Sequence, residues 1–281
     1  MTYKEVFNSQ KGRDEIINIY DKILRRWKVS YEEFTIDTSF GRTFIIKSGD
    51  MKFPALILLH GTSSNSSMWI DEIDEFTKYF CVYVIDIPGE PGKSEEKQYS
   101  LKNSIYFEWL NEIINILNME KVSITGISLG AWLAIGFSVK YPKRVNKLVL
   151  LCPSGIGSQK ISFLLKSMPL ILLGDWGYKK VAKIVIGNQD ITEEAENYMM
   201  LIAKNFNLRT ESVPIYKDED LKKLVMPVYI ITGENDVLLN SESTIQRARN
   251  TIPNVKTELL SEQGHVLIGQ KKKIAEFLIF R

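Results

Sequence analysis

Val122-Ser123-Ile124-Thr125-Gly126-Ile127-Ser128-Leu129-Gly130-Ala131-Trp132-Leu133-Ala134 is the stretch on which the fold turns. A short β-branched run passes through Gly-x-Ser-x-Gly into an apolar helical run that continues to about residue 141, so Ser128 is expected in a strand-to-helix turn. Glycines two residues before and two after the serine relieve crowding in such a strained turn. They let the hydroxyl project above a sheet at a helix N-terminus.

The same grammar extends outward in both directions. Residues 53–59, 81–85, 145–151 and 228–232 are short apolar runs rich in β-branched residues, the pattern of strands buried on both faces. Helical patterns at 67–78, 103–118, 130–141 and 242–251 fall between or after them, which predicts βαβ crossovers and a mainly parallel sheet. Two further strands, 33–38 and 42–47, flank the turn Ser39-Phe40-Gly41 and read as a hairpin. Ahead of them Ile16, Ile17, Tyr20, Ile23, Leu24 and Trp27 line one stripe of a helix over 14–28, expected to dock on the domain. One connection breaks the rhythm. From Pro153 to Val225 the chain runs 73 residues before the next strand, far longer than an ordinary crossover, and reads as an insertion with helical stretches near 161–173, 178–186, 193–206 and 218–224.

A serine hydroxyl attacks a carbonyl only when a neighbouring base takes its proton, and the chain holds two histidines. His265, in Glu262-Gln263-Gly264-His265, follows the strand-like run 255–260 and is the preferred base; His60, ending another strand, is read as shaping the loop it opens. The carboxylate that would orient the imidazole is Asp236, in Gly233-Glu234-Asn235-Asp236 after strand 228–232, with Glu234 of the same turn as its alternative. Two backbone amides are expected to hold the developing oxyanion. One is Leu129, directly after the serine; the other is Thr62 in His60-Gly61-Thr62-Ser63, with Ser63 second to it and Gly61 allowing close backbone approach.

Five motifs in order, His60-Gly61-Thr62, Asp86-Ile87-Pro88-Gly89-Glu90-Pro91-Gly92-Lys93-Ser94, the serine turn, Gly233-Glu234-Asn235-Asp236 and Gly264-His265, resemble the α/β-hydrolase family over residues 33–281. The length of the insertion resembles the family's lidded branch. The resemblance implies an α/β fold with an eight-stranded, mostly parallel sheet flanked by helices, only its second strand antiparallel, with a helical cap between strands 6 and 7. It divides the chain into an added N-terminal helical extension, 1–32, a core of 33–152 and 218–281, and a cap of 153–217. The order serine, acid, histidine is also the family's. Some members carry the acid after the preceding strand, where this chain has Cys152-Pro153-Ser154-Gly155 and no carboxylate. Serine in the elbow disfavours haloalkane dehalogenase and epoxide hydrolase chemistry, which use aspartate there.

Other signals are weaker. Gly92-Lys93-Ser94 fails as a phosphate-binding loop because position 87 is isoleucine, and Gly155-Ile156-Gly157-Ser158-Gln159-Lys160 has lysine at the third glycine place of a dinucleotide fingerprint. Two distant histidines and two distant cysteines give no zinc spacing, so neither cofactor nor metal is expected. A net charge of +2 spread along the chain makes nucleic acid an unexpected partner. Cys81 and Cys152 lie in or beside strand-like runs as free thiols, and neither a secretory leader nor a membrane-length apolar run is read, so a cytoplasmic protein without stable membrane insertion is expected. Met68 and Trp69 either line an acyl pocket or pack a helix. Of the insertion's Phe163, Leu164, Leu165, Leu170, Ile171, Leu172 and Leu173, most are expected to dock on the core.

The function expected is a serine hydrolase, by default a carboxylesterase, cleaving a small or medium-sized, partly apolar ester through an acyl-enzyme on Ser128. The same triad also serves carbon–carbon bond hydrolysis, thioester or lactone hydrolysis and cofactor-free peroxidation, and a non-catalytic ligand-binding protein is the rival from another class.

Overall fold

A computed structural model describes the chain except residues 1–4, 161, 162, 164–166, 168, 171, 188, 190, 210 and 281. Eight strands form one sheet: β1 (Tyr31–Thr38), β2 (Gly41–Ser48), β3 (Ala55–Leu59), β4 (Cys81–Ile85), β5 (Val122–Ile127), β6 (Val145–Leu151), β7 (Val228–Gly233) and β8 (Val255–Leu260). Their spatial order is β1-β2-β4-β3-β5-β6-β7-β8. β2 runs antiparallel to both its neighbours and every other pairing is parallel, as the family resemblance implies.

The helices are α1 (Gln10–Leu24), α2 (Ile73–Phe76), α3 (Ile105–Ile116), α4 (Leu129–Lys140), α5 (Asp175–Ile186), α6 (Glu193–Asn205), α7 (Asp218–Leu221), α8 (Ser241–Thr251) and α9 (Lys271–Ile279). They cover the sheet in two layers because its central strands are apolar on both sides. On one face Ile57, Ile124, Leu148 and Ile230 pack with Trp109 and Ile113 of α3, Trp132 and Phe137 of α4 and Ala248 of α8. On the other, Leu56, Leu58, Val149 and Ile231 pack with Ile16, Tyr20 and Leu24 of α1 and Ile274 and Leu278 of α9.

α1 begins at residue 10 rather than 14 because Ser9 caps it, its hydroxyl accepting the Gly12 amide at 3.1 Å. It ends at Leu24, and Trp27 lies in the tighter turn that follows, its indole N–H donating to Ser48 Oγ at 3.0 Å. The helix is clamped to the body by polar contacts the apolar stripe does not display. Tyr20 donates to Asp86 Oδ1 at 3.0 Å, and Lys93 Nζ reaches Asp21 at 2.6 Å and Glu33 at 3.1 Å across the Tyr20 and Phe44 rings. α1 also packs on α6, where a side chain at Gly12 would strike Asn205.

The helix expected over 67–78 is broken. Asn65 caps a one-turn 3-10 helix, Ser66–Trp69, and α2 follows after a gap, so i→i+3 bonds replace a continuous α-helical ladder. Trp69 is buried in the α1-side core with Met68 packed against it, which favours the helix-packing reading of this pair. In the long β6–β7 connection, α7 stops at Leu221, three residues short of expectation. Leu172 and Leu173 are exposed, 87% and 59%, and do not dock on the core as most of this run is expected to. Leu164, Leu165 and Ile171 lie outside the described residues. Among the described residues no helix is long and apolar enough to cross a membrane, and both cysteines are free and buried.

Candidate active site

β5, β6, β7 and β8 are neighbours running in one direction, so the residues after their carboxyl ends line a single edge. Ser128, Cys152, Asp236 and His265 stand there in that order. Ser128 joins β5 to α4 in a strained backbone, φ 53° and ψ −108°. Its N–H donates to Leu151 O at 2.9 Å and its carbonyl accepts the Trp132 amide at 3.0 Å, so the turn is pinned from both sides. The flanking glycines are demanded by space. A Cβ on Gly126 would lie 2.5 Å from Gly130 O, and one on Gly130 would lie 2.5 Å from both Leu59 O and His60 O. Gly61 differs from its expected role: a Cβ there would meet Ser128 Cβ at an ordinary 3.5 Å, so the glycine leaves open the space beside the serine.

His265 and Asp236 are brought together as the sequence suggests. His265 Nδ1 lies 2.8 Å from Asp236 Oδ2, and the other oxygen, Oδ1, accepts the Leu238 and Leu239 amides at 2.8 and 3.0 Å. Burial alone would push the Asp236 carboxyl up; the bond to His265, its positive charge when protonated and the two amides outweigh burial and hold it below its ordinary value. With Nδ1–H donated to the carboxylate, Nε2 is left as the proton acceptor. The alternative acid, Glu234, is exposed, and it is Asp236 that pairs with His265. The histidine loop is wedged against α5: the His265 amide donates to Val185 O at 3.1 Å, and a Cβ on Gly264 would lie 2.7 Å from Ile186 O.

Cys152 Sγ, an Asp236 oxygen and a His265 ring nitrogen lie within 4.8 Å of one another. These could face a cation, but burial and the neighbouring Asp236 push the thiol well up, and the carboxylate and imidazole already satisfy each other. The arrangement fits a hydrogen-bonded acid–base pair better than a metal centre.

Leu129 is the first residue of α4, where amides have no intrahelical acceptor. Thr62 follows Gly61 in the loop after β3, and its amide has no partner among the described residues. The Ser63 amide is already committed, donating to Glu90 Oε2 at 2.8 Å, which separates the two candidates in favour of Thr62. Glu90 lies within Pro88-Gly89-Glu90-Pro91-Gly92, and a carboxylate in that loop is the one signal the sequence offers for this contact.

His60 is fully buried; its Nδ1–H donates to Gly61 O at 2.8 Å and its Nε2 accepts the Ile87 amide at 2.9 Å. Both nitrogens are committed to tying the β3 loop to the loop after β4. Burial pushes its imidazole below the ordinary value against the pull of Asp86 and the Gly61 carbonyl. Its neutral form therefore stabilises the fold above the unfolded value of about 6.5, and that contribution is lost as pH falls through the lower folded value. The melting-temperature advantage of wild type over His60→Gln should accordingly shrink between pH 7.5 and pH 5. A gap that widened on acidification would contradict this assignment.

The family profile for the alpha/beta hydrolase fold matches residues 54–184. The chain is similar to the carboxylesterase YbfK of Bacillus subtilis (strain 168), 27% identical over 258 residues that cover 88% of this chain and 86% of that protein. It is also similar to the uncharacterized carboxylesterase nap of the same organism, 28% identical with 88% and 85% covered. The crystal structure of carboxylesterase CesB (YbfK) from Bacillus subtilis superposes with a TM-score of 0.85 and 25% identity over 96% of this chain and 97% of that one. Sheet order, serine elbow and these matches agree: the chain has the α/β-hydrolase fold.

Proposed function

We propose that this protein hydrolyses carboxylic esters through an acyl-enzyme on Ser128, with His265 as general base and acid, Asp236 as its orienting carboxylate, and the Leu129 and Thr62 amides as oxyanion donors. The observation that carries the reading is the shared sheet edge. That edge carries both the strained elbow of Ser128 and a histidine whose Nδ1 lies 2.8 Å from a doubly amide-bonded aspartate. Similarity to two Bacillus subtilis carboxylesterases supports ester as the bond cleaved.

In this mechanism Ser128 Oγ adds to the ester carbonyl as His265 Nε2 takes its proton. The negative charge moves onto the carbonyl oxygen, where each backbone donor contributes about 3 kcal/mol to the transition state. Collapse expels the alcohol, which takes the proton back from His265. Water then attacks the acyl-enzyme by the same path and releases the acid. Residues 153–217 act as a cap over this edge, and their apolar side chains, Phe163, Leu170, Leu172 and Trp176 among them, suit a substrate with a hydrophobic portion.

A p-nitrophenyl ester panel of rising acyl length tests the reading. Turnover should be measurable and kcat/KM should rise from acetate to butyrate or longer. Hydrolysis confined to short, charged esters would remove the apolar-substrate claim, and no hydrolysis of any ester would remove the activity.

A further inference from the structure

The Thr62–Ser63 turn needs a device to hold it. Ser63 sits at φ 56°, a left-handed conformation unusual for a residue with a side chain. Its amide is held by Glu90 Oε2 at 2.8 Å. Glu90 is buried, and its other oxygen, Oε1, lies 3.6 Å from Nε of Arg209, which is also buried. Among the described residues neither Oε1 nor Nε has a hydrogen-bond partner, so these two atoms face each other across that gap. Arg209 is fixed from its far side: it donates to Tyr99 O and to Tyr106 Oη, both at 2.6 Å, and its guanidinium lies 5.6 Å from the Tyr106 ring centre. Arg209 follows α6 in the return of the β6–β7 connection. A continuous chain of contacts therefore runs from that connection through Arg209 and Glu90 to the amide beside Thr62.

We propose that Glu90 is a positioning residue: its carboxylate, set by Arg209, holds the Ser63 amide so that the adjacent Thr62 amide points at the oxyanion. This rests on the reading of Ser128 as nucleophile and Thr62 as donor. A glutamate is suited to the place because an ionised acceptor makes a shorter, stronger bond to an amide than a neutral one does. Burial pushes the Glu90 carboxyl up to about 7 against the pull of Arg209 and the Ser63 amide. The charged and titratable groups facing it are Arg209, which stays a cation, and Tyr106 of α3, whose phenol burial pushes up to about 12. Glu90 is thus the member of the cluster that changes charge between pH 6 and 8.

The test combines kinetics with a readout that needs no turnover. On p-nitrophenyl butyrate, Glu90→Ala should lose about 10- to 100-fold in kcat with KM within about threefold, since a loosened oxyanion donor acts on the transition state more than on substrate binding. The near-isosteric Glu90→Gln, which keeps an acceptor oxygen, should lose less and should make the acid side of the kcat profile less steep, leaving the limb that protonation of His265 sets. In 15N–1H spectra the wild-type Ser63 amide should titrate with a midpoint near 7, and that titration should vanish in Glu90→Gln. If Glu90→Ala does not fold, the Glu90→Gln profile and spectra decide alone. A kcat for Glu90→Ala within twofold of wild type, or a Ser63 amide indifferent to pH, overturns the proposal. A wild-type protein that neither hydrolyses esters nor reacts with a fluorophosphonate, yet shows the Ser63 titration, instead sinks the hydrolase reading and leaves Glu90 holding the loop.

Discussion

Ser128→Ala should leave a folded protein whose kcat on a p-nitrophenyl ester is about 10^4- to 10^6-fold lower than wild type. The substitution removes only the hydroxyl. The backbone that shapes the elbow, with its bonds to Leu151 O and from Trp132 N, is untouched, and alanine meets the same positive φ that serine already meets. Stability should therefore move little while the chemistry disappears. The loss should not be complete, because the oxyanion donors and binding contacts would still accelerate attack by water by about 10^3-fold. Steady-state kinetics beside thermal melts separate the two effects, and near-wild-type turnover by the alanine variant would remove the nucleophile from the account.

Asp236→Asn should lower kcat by about 10^4-fold, and the hydrogen bonds around the carboxylate say why. The Leu238 and Leu239 amides both donate to Oδ1, so in the variant the side-chain carbonyl is drawn to that position. The NH2 group is then left facing His265 Nδ1. Nδ1 must become an acceptor, the ring proton moves to Nε2, and the nitrogen that should take the Ser128 proton is already protonated. The fall should appear in kcat with KM little changed. An Asp236→Asn enzyme within tenfold of wild type would point to another acid, with Glu234 the first to examine.

Much of this architecture is legible because its strands are short and apolar and alternate with amphipathic helices. The turn around Ser128 is legible for a different reason: Gly126 and Gly130 are required by backbone atoms 2.5 Å from where a Cβ would sit, so the pattern records a close approach. His265 stands out by scarcity, as one of only two histidines, the other of which opens the glycine loop after β3. Less legible were features set by polar contacts between distant segments. The start of α1 depends on a Ser9 cap, and the 3-10 turn Ser66–Trp69 on the Asn65 side chain. Leu172 and Leu173 show that an apolar run does not say which way it faces. Glu90 illustrates the limit best. Its partners, Ser63 and Arg209, lie 27 and 119 positions away, and no local periodicity reports such a meeting.

The most direct test of the central claim is intact-mass and peptide mapping after reaction with a fluorophosphonate. One phosphonyl group should be found, on Ser128, absent from Ser128→Ala and formed far more slowly in His265→Ala than in His60→Ala. Undiminished labelling of the Ser128→Ala protein, or a single modification mapped to another residue, would contradict the account.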